Sequence, residues 1–258
     1  MDICQLSSGL SSMVHNYTDC AKQWRPETYR CRVHVPTPGC KGLLETLHLK
    51  AVQVTPTLGT PRDCEAIVHA TRSFIAQTQG EKVLLKLDVK NAFNSIHRDT
   101  VLQAAQTHLP EIYPFIWDCY STNTSLFHGD FHLNSATGVQ QGDPFGPALF
   151  ALAIHRVTSE VKSDLNVWYL DDGCVGGDPQ TVLSNAAIIR NGLSLVGVEI
   201  NNSKCELLIV NNTTSQGRSK TIKSFQVEFP SISIPAANLW QLLRSPLHQD
   251  STPPHVVT

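Results

Sequence analysis

Asn166-Val-Trp-Tyr-Leu-Asp-Asp-Gly-Cys-Val-Gly176 sets two adjacent carboxylates between apolar flanks. Its pattern predicts two short strands, Asn166 to Leu170 and Cys174 to Gly176, with Asp171 and Asp172 in the tight turn between them. An ionised carboxylate in such surroundings is costly unless a positive charge pairs with it, and the hairpin holds no Lys or Arg. A divalent cation meets that need. Oxygen-only ligands suit Mg²⁺ or Mn²⁺, which bind one or two carboxylates together with substrate phosphates. Taken alone, Asp-Asp-Gly is also explained as plain turn chemistry.

Moving outward, a third carboxylate, Asp88, ends the apolar run Lys82-Val-Leu-Leu-Lys-Leu-Asp-Val89, which suits a buried strand. A helix is predicted before it, over 62–78, from Ala66, Ile67, Ala70, Phe74 and Ile75 at helical spacing and from Gly80 beyond its end. Asn91 to Leu109 and Glu111 to Ser121 read as helices separated by Pro110. Ser125 to Leu133 alternates around Gly129-Asp130 and reads as a hairpin. Phe145 to Val161 is a strongly apolar helix and Pro179 to Val196 an amphipathic one, with strand material at Val198–Ile200 and Cys205–Val210. This order describes an α+β fold, an antiparallel sheet with helices packed on one face. Residues 1–60 are irregular and broken by prolines, Asn211 to Lys223 is polar and basic, and the end from His248 reads as a frayed tail.

Composition narrows the function classes. The 258 residues carry 20 Lys and Arg against 22 Asp and Glu, a net charge of −2, so bulk basicity does not drive nucleic-acid binding. No run reaches the roughly 18–20 apolar residues of a membrane span, and the N-terminus lacks the pattern of a secretion signal. An intracellular protein, nuclear or cytoplasmic, with no membrane partner is expected. The eight cysteines are scattered without CxxC pairs, which points to reduced thiols rather than a zinc module or a disulfide framework. His128 and His132 flank a hairpin turn without a third ligand, and no nucleophile elbow is present.

Three segments in order, Leu87-Asp-Val-Lys-Asn-Ala-Phe-Asn-Ser95, Gln140-Gln-Gly-Asp-Pro-Phe-Gly-Pro-Ala-Leu-Phe150 and Tyr169-Leu-Asp-Asp172, resemble motifs A, B and C of reverse transcriptases. Their wording is most similar to the non-LTR (LINE-type) retrotransposon branch. The segment from Thr60 to Ala66 resembles what precedes motif A there, Gly197 to Leu207 resembles motif D, and Leu242 to Leu247 resembles the primer-grip segment. The resemblance implies a right-hand polymerase palm: a partial, divergent fingers region over 1–60, the palm over 61–210, and a primer-grip-like segment with a tail over 211–258. It implies a truncated domain without a thumb.

The implied chemistry is RNA-directed DNA polymerisation. Asp88 and Asp171, with Asp172 assisting and the Val89 carbonyl as a further ligand, would hold two Mg²⁺ ions, for which Mn²⁺ could substitute. RNA template, DNA primer and dNTPs would be the partners. Phe93 would be the steric gate against a ribose 2′-hydroxyl, or else simple core packing. Gln141 and Gly142 would line the nucleotide, and Asp143 would cap the following helix. Lys204 would protonate the leaving pyrophosphate, or stand as a surface lysine. Tyr169 would contact the primer terminus, or pack in the sheet. Leu243 and Arg244, in the primer-grip-like segment, would bind the primer, with Arg244 standing where the family has a glycine. Two other readings compete: a non-catalytic remnant that keeps the fold with weak nucleic-acid binding, and a viral-type RNA polymerase, which Phe93 and Tyr169-Leu170 disfavour.

Overall fold

The computed structural model describes residues 63–128, 131–211 and 214–247. Helix α1 (Asp63–Gln77) leads to β1 (Lys82–Leu87), β2 (Val89–Lys90), the single-turn α2 (Ala92–Ser95), α3 (Arg98–His108) and α4 (Tyr113–Tyr120). The hairpin β3 (Thr124–His128) and β4 (Phe131–Ser135) precedes α5 (Gly146–Ser159). The second hairpin, β5 (Leu165–Tyr169) and β6 (Asp172–Gly177), is followed by α6 (Pro179–Leu195), β7 (Glu199–Ile200) and β8 (Glu206–Asn211). Helix α7 (Ser215–Glu228) and the short hairpin β9 (Gln241–Leu242) and β10 (Ser245–Pro246) complete the described residues.

The central sheet runs β5-β6-β1-β8, antiparallel throughout. Alternation along its strands separates two faces. Val83, Leu85 and Leu87 of β1, with Val175, Leu207 and Ile209, join one core with α3, α5 and α6. Ten of the fourteen residues of α5 are buried, as a helix apolar around most of its circumference must be. Gly192 lets α6 approach closely: a Cβ there would lie 2.5 Å from Val157 Cγ1. Leu84, Cys174 and Leu208 point the other way, into a smaller core with Ile67 of α1 and with Trp240, Leu242 and Leu247 around the last hairpin. The α+β palm is thus as expected, with one addition: the face away from the main helices is partly covered, by α1 and the β9–β10 hairpin. Arg72 fastens those two together, its Nε and Nη2 donating to the Pro246 carbonyl at 3.0 and 2.6 Å.

Several expectations need correction. The predicted helix Asn91 to Leu109 is two helices: Asn91 stands at φ 45° and Ile96 is extended (φ −56°, ψ 137°), so a single turn is set off from α3. The predicted strand 82–89 breaks at Asp88, and Val89 leaves the main sheet to pair with Ile200. Asp172 is the first residue of β6, paired with Tyr169, so the two-residue turn is Leu170-Asp171. Most of the polar 211–223 stretch is helical. Thr214 caps α7 by accepting from the Gly217 N–H, and Thr221 and Phe225 give that helix its narrow buried stripe. The residues read as a divergent fingers region and as the C-terminal tail lie outside the described residues, as does the Gly129-Asp130 turn.

Among the described residues no helix is long and apolar enough to cross a membrane. Four described cysteines carry free thiols, and burial pushes that of Cys174 up to about 12, which suppresses thiolate chemistry there.

Candidate active site

Two neighbouring strands bring the carboxylates together. Asp88 follows the last residue of β1, and Asp172 opens β6, the antiparallel neighbour in which Leu87 opposes Gly173. Strand alternation puts Lys86, Asp88, Tyr169 and Asp172 on the face that also carries the β9–β10 hairpin. Asp171 stands at the tip of the β5–β6 turn, where Leu170 holds φ 56°. A left-handed leucine costs on the order of 1 kcal/mol, a strain concentrated where two carboxylates must be presented side by side. Gly173 is required behind them: a Cβ there would meet the Trp168 ring at 2.6 Å.

The negative charges here are only partly compensated. Asp88 Oδ1 is buried without a hydrogen-bond partner, and its nearest positive charge is Lys204 Nζ at 3.9 Å, on a side chain 68% exposed. Burial first, then the negative charges of Asp171 and Asp88, push the Asp172 carboxyl above its ordinary range, against the opposing pull of Lys86 and Lys204. An orphaned carboxylate oxygen beside a carboxylate that resists ionisation fits a hard divalent cation. Among the described residues no group of three or more His, Cys, Asp or Glu side chains is gathered closely enough to hold a metal ion by itself. Mg²⁺ binds through one or two carboxylates and keeps the rest of its shell for substrate phosphates and water. Val89 opposes Ile200, while the hydrogen bond from Asn201 N to the Asp88 carbonyl marks the adjoining bonded pair. The antiparallel alternation therefore turns the Val89 carbonyl away from β7.

Of the two flanking cations, sequence reasoning named Lys204 and missed Lys86. Lys86 pairs with Glu206 at 2.6 Å beside Asp88 and weakens the site's negative field. Its place in β1, two residues before Asp88, was the available signal.

Phe93 lies on α2, partly buried, its ring stacked on Phe150 at 4.7 Å between centroids and 23° between planes. Gln141 and Gly142 are exposed on the neighbouring loop, and Gln141 Nε2 reaches Asn94 Oδ1 at 3.4 Å. Gly142 has φ +87°, which glycine adopts without penalty. Asp143 is no helix cap. The N-cap of α5 is Phe145, and Asp143 accepts from the Phe145 N–H at 2.9 Å and from the Tyr120 hydroxyl. True capping of this kind is seen at Asp178, which accepts from the N–H groups of Gln180 and Thr181 ahead of Pro179. Leu243 and Arg244 form the β9–β10 turn with φ 49° and 63°, the type I′ signature of two successive left-handed residues. A glycine would take the Arg244 conformation without strain.

Carboxylates carried by adjacent antiparallel strands, on a sheet backed by helices and beside an aromatic-bearing turn, define a polymerase palm. A family model described as reverse transcriptase (RNA-dependent DNA polymerase) matches residues 19–234, and the chain belongs to that family. It is 27% identical over 175 residues to the retrotransposable element SLACS 132 kDa protein of Trypanosoma brucei gambiense, a match covering 62% of this chain and 14% of that protein. The chain therefore matches only a small part of that relative's length. Among solved structures, apo telomerase from Candida tropicalis superposes with a TM-score of 0.51 at 9% identity, over 64% of this chain and 35% of that one. Telomerase from Candida albicans in complex with a TWJ fragment of telomeric RNA gives 0.51 at 14% identity, over 67% and 35%. At these identities the likeness is one of fold.

Proposed function

We propose that this chain is the RNA-directed DNA polymerase domain of a non-LTR retrotransposon, extending a DNA primer on an RNA template with dNTPs inside the cell. The observation that carries the reading is the buried Asp88 Oδ1, without a hydrogen bond and facing, among the described residues, only the exposed Lys204 at 3.9 Å, beside the mutually repelling Asp171 and Asp172.

Asp88, Asp171 and Asp172, with the Val89 carbonyl, would hold Mg²⁺, or Mn²⁺ in its place. A pair of such ions would activate the primer 3′-hydroxyl and stabilise the charge on the departing pyrophosphate. The chain's own residues then have separate tasks. Phe93, braced by Phe150, excludes a 2′-hydroxyl. Gln141 and Gly142 border the incoming nucleotide. Tyr169, across the strand pair from Asp172, meets the primer terminus, which Leu243 and Arg244 steady from the β9–β10 turn. Lys204 holds at Nζ the proton the pyrophosphate needs, on a long exposed side chain that can leave Asp88.

The test is primer extension on an RNA template with Mg²⁺ and dNTPs, comparing the parent with Asp171→Ala. The parent should synthesise DNA, and the variant should lose extension with its circular-dichroism spectrum intact. Undiminished Mg²⁺-dependent synthesis by Asp171→Ala would sink the metal assignment, and silence from a folded parent would overturn the polymerase reading.

A further inference from the structure

A second network, away from the carboxylates, holds the Phe93 turn and the Gln141-Gly142 loop. Helix α2 has only four residues, and Asn91 gives it no side-chain cap. A single turn does not hold itself in water. Its support comes from the 137–139 segment. Val139 N donates to the Phe93 carbonyl at 2.7 Å, Gly138 N to the Ile96 carbonyl at 2.8 Å, and Thr137 Oγ1 to the Asn94 carbonyl at 3.0 Å. Gly138 permits this approach, since a Cβ there would meet the Phe93 carbonyl oxygen at 2.5 Å.

That segment is gripped in turn by Arg98, which is only 6% exposed. Its Nε donates to the Gly138 carbonyl at 3.1 Å, Nη1 to the carbonyls of Ser135 and Thr122 at 2.8 and 3.3 Å, and Nη2 to Ser135 Oγ at 2.8 Å. Among the described residues no carboxylate pairs with it. The guanidinium instead lies 5.7 Å from the centre of the Tyr120 ring. Tyr120 completes the ring of contacts: its hydroxyl donates to Asp143 Oδ2 and accepts from Gln140 N at 3.2 Å. A buried guanidinium spends its fork on backbone carbonyls of three segments, and a buried phenol grips the 140–143 loop from the other side.

We propose that Arg98 and Tyr120 are positioning residues that lock the Phe93 turn and the Gln141-Gly142 loop into one body, and so set discrimination between deoxy- and ribonucleotides. The proposal rests on the reading of Phe93 as the sugar gate. A gate selects only if its distance from the nucleotide is held, and a displacement near 1 Å is enough to spoil such a site.

The experiment compares the parent, Tyr120→Phe, Arg98→Lys and Phe93→Val. It measures the ratio of kcat/KM for a dNTP to that for the matching rNTP, together with amide hydrogen exchange over residues 138–146. Tyr120→Phe keeps the ring and its packing, and Arg98→Lys keeps the charge while losing the fork. Both should lower the ratio by about tenfold, in the direction of Phe93→Val, and should speed exchange across the loop while the central strands stay protected. Parallel loss of activity toward both sugars with an unchanged ratio would overturn the proposal and leave the network a purely structural brace. So would unchanged loop exchange in Tyr120→Phe. An active parent whose ratio is untouched by Phe93→Val refutes the gate on which the proposal stands. A folded parent that synthesises nothing refutes the polymerase reading instead.

Discussion

Asp143 shows how much a single residue's role depends on what faces it. In sequence, Asp143-Pro144 and Asp178-Pro179 look alike, yet only Asp178 caps a helix. Asp143 is drawn inward by Tyr120. Burial raises its carboxyl above its ordinary range, against the hydrogen bonds from Tyr120 and from Phe145 N that favour the ionised form. The native state therefore binds this proton more tightly than the unfolded chain does. By linkage, proton uptake stabilises the fold as pH drops through the native value, and the gain is complete below about 4, where the unfolded group is protonated too. The unfolding midpoint of the parent should rise relative to Asp143→Asn between pH 7 and pH 4. A difference independent of pH would remove the buried-carboxyl assignment.

The β5–β6 hairpin is the element on which the site turns. Its register sets Tyr169 opposite Asp172 and Trp168 opposite Gly173, and the Trp168 ring lies over the glycine. A Cβ at position 173 has to displace a large, packed ring, because the nearest ring atoms lie 2.6–2.8 Å from where it would sit. Gly173→Ala should cost about 1–3 kcal/mol in chemical denaturation, the range for overpacking a filled site. Because the displaced ring borders the turn, primer extension should fall as well. A midpoint and activity equal to the parent's would show that the hairpin tolerates the methyl and that the Trp168–Gly173 contact is not needed. Helix α2 offers the complementary lesson: its four residues would not persist alone, and the 137–139 segment supplies what local propensity lacks.

At the scale of the whole molecule, α7 closes the main core from a stretch that reads as polar. Phe225 is fully buried, Phe229 beside it carries the Arg190 guanidinium at 4.6 Å from its ring centre, and Arg190 binds Glu228 at 2.8 Å. Thr221 donates to Glu81 at 2.7 Å, tying the helix to the start of β1. Truncating Phe225 to alanine should cost about 3–5 kcal/mol, the usual range for a buried aromatic. That is a large share of the 5–15 kcal/mol that typically separates folded from unfolded domains. A loss below about 1 kcal/mol would mean that α7 is an appendage rather than part of the core.

The strong periodicities were legible without any structure. Continuous apolar runs marked β1 and α5, apolar flanks around Asp171 and Asp172 marked the second hairpin, and the three motifs in order pointed to the palm. These signals are local, since burial of a strand or helix face imposes its period on the residues that form it. Hidden from the sequence was everything set by contact between distant segments. The break at Asn91, the support of Phe93 by Val139 and the burial of Asp143 under Tyr120 are of this kind. Arg98 stands between the two cases. Its spacing of three, four and seven from Val101, Leu102 and Ala105 places it on the buried stripe of α3, yet charge argues for the surface. The carbonyls of Gly138, Ser135 and Thr122 resolve the conflict, because a guanidinium can leave water only where acceptors replace it, and only the folded chain brings those three together.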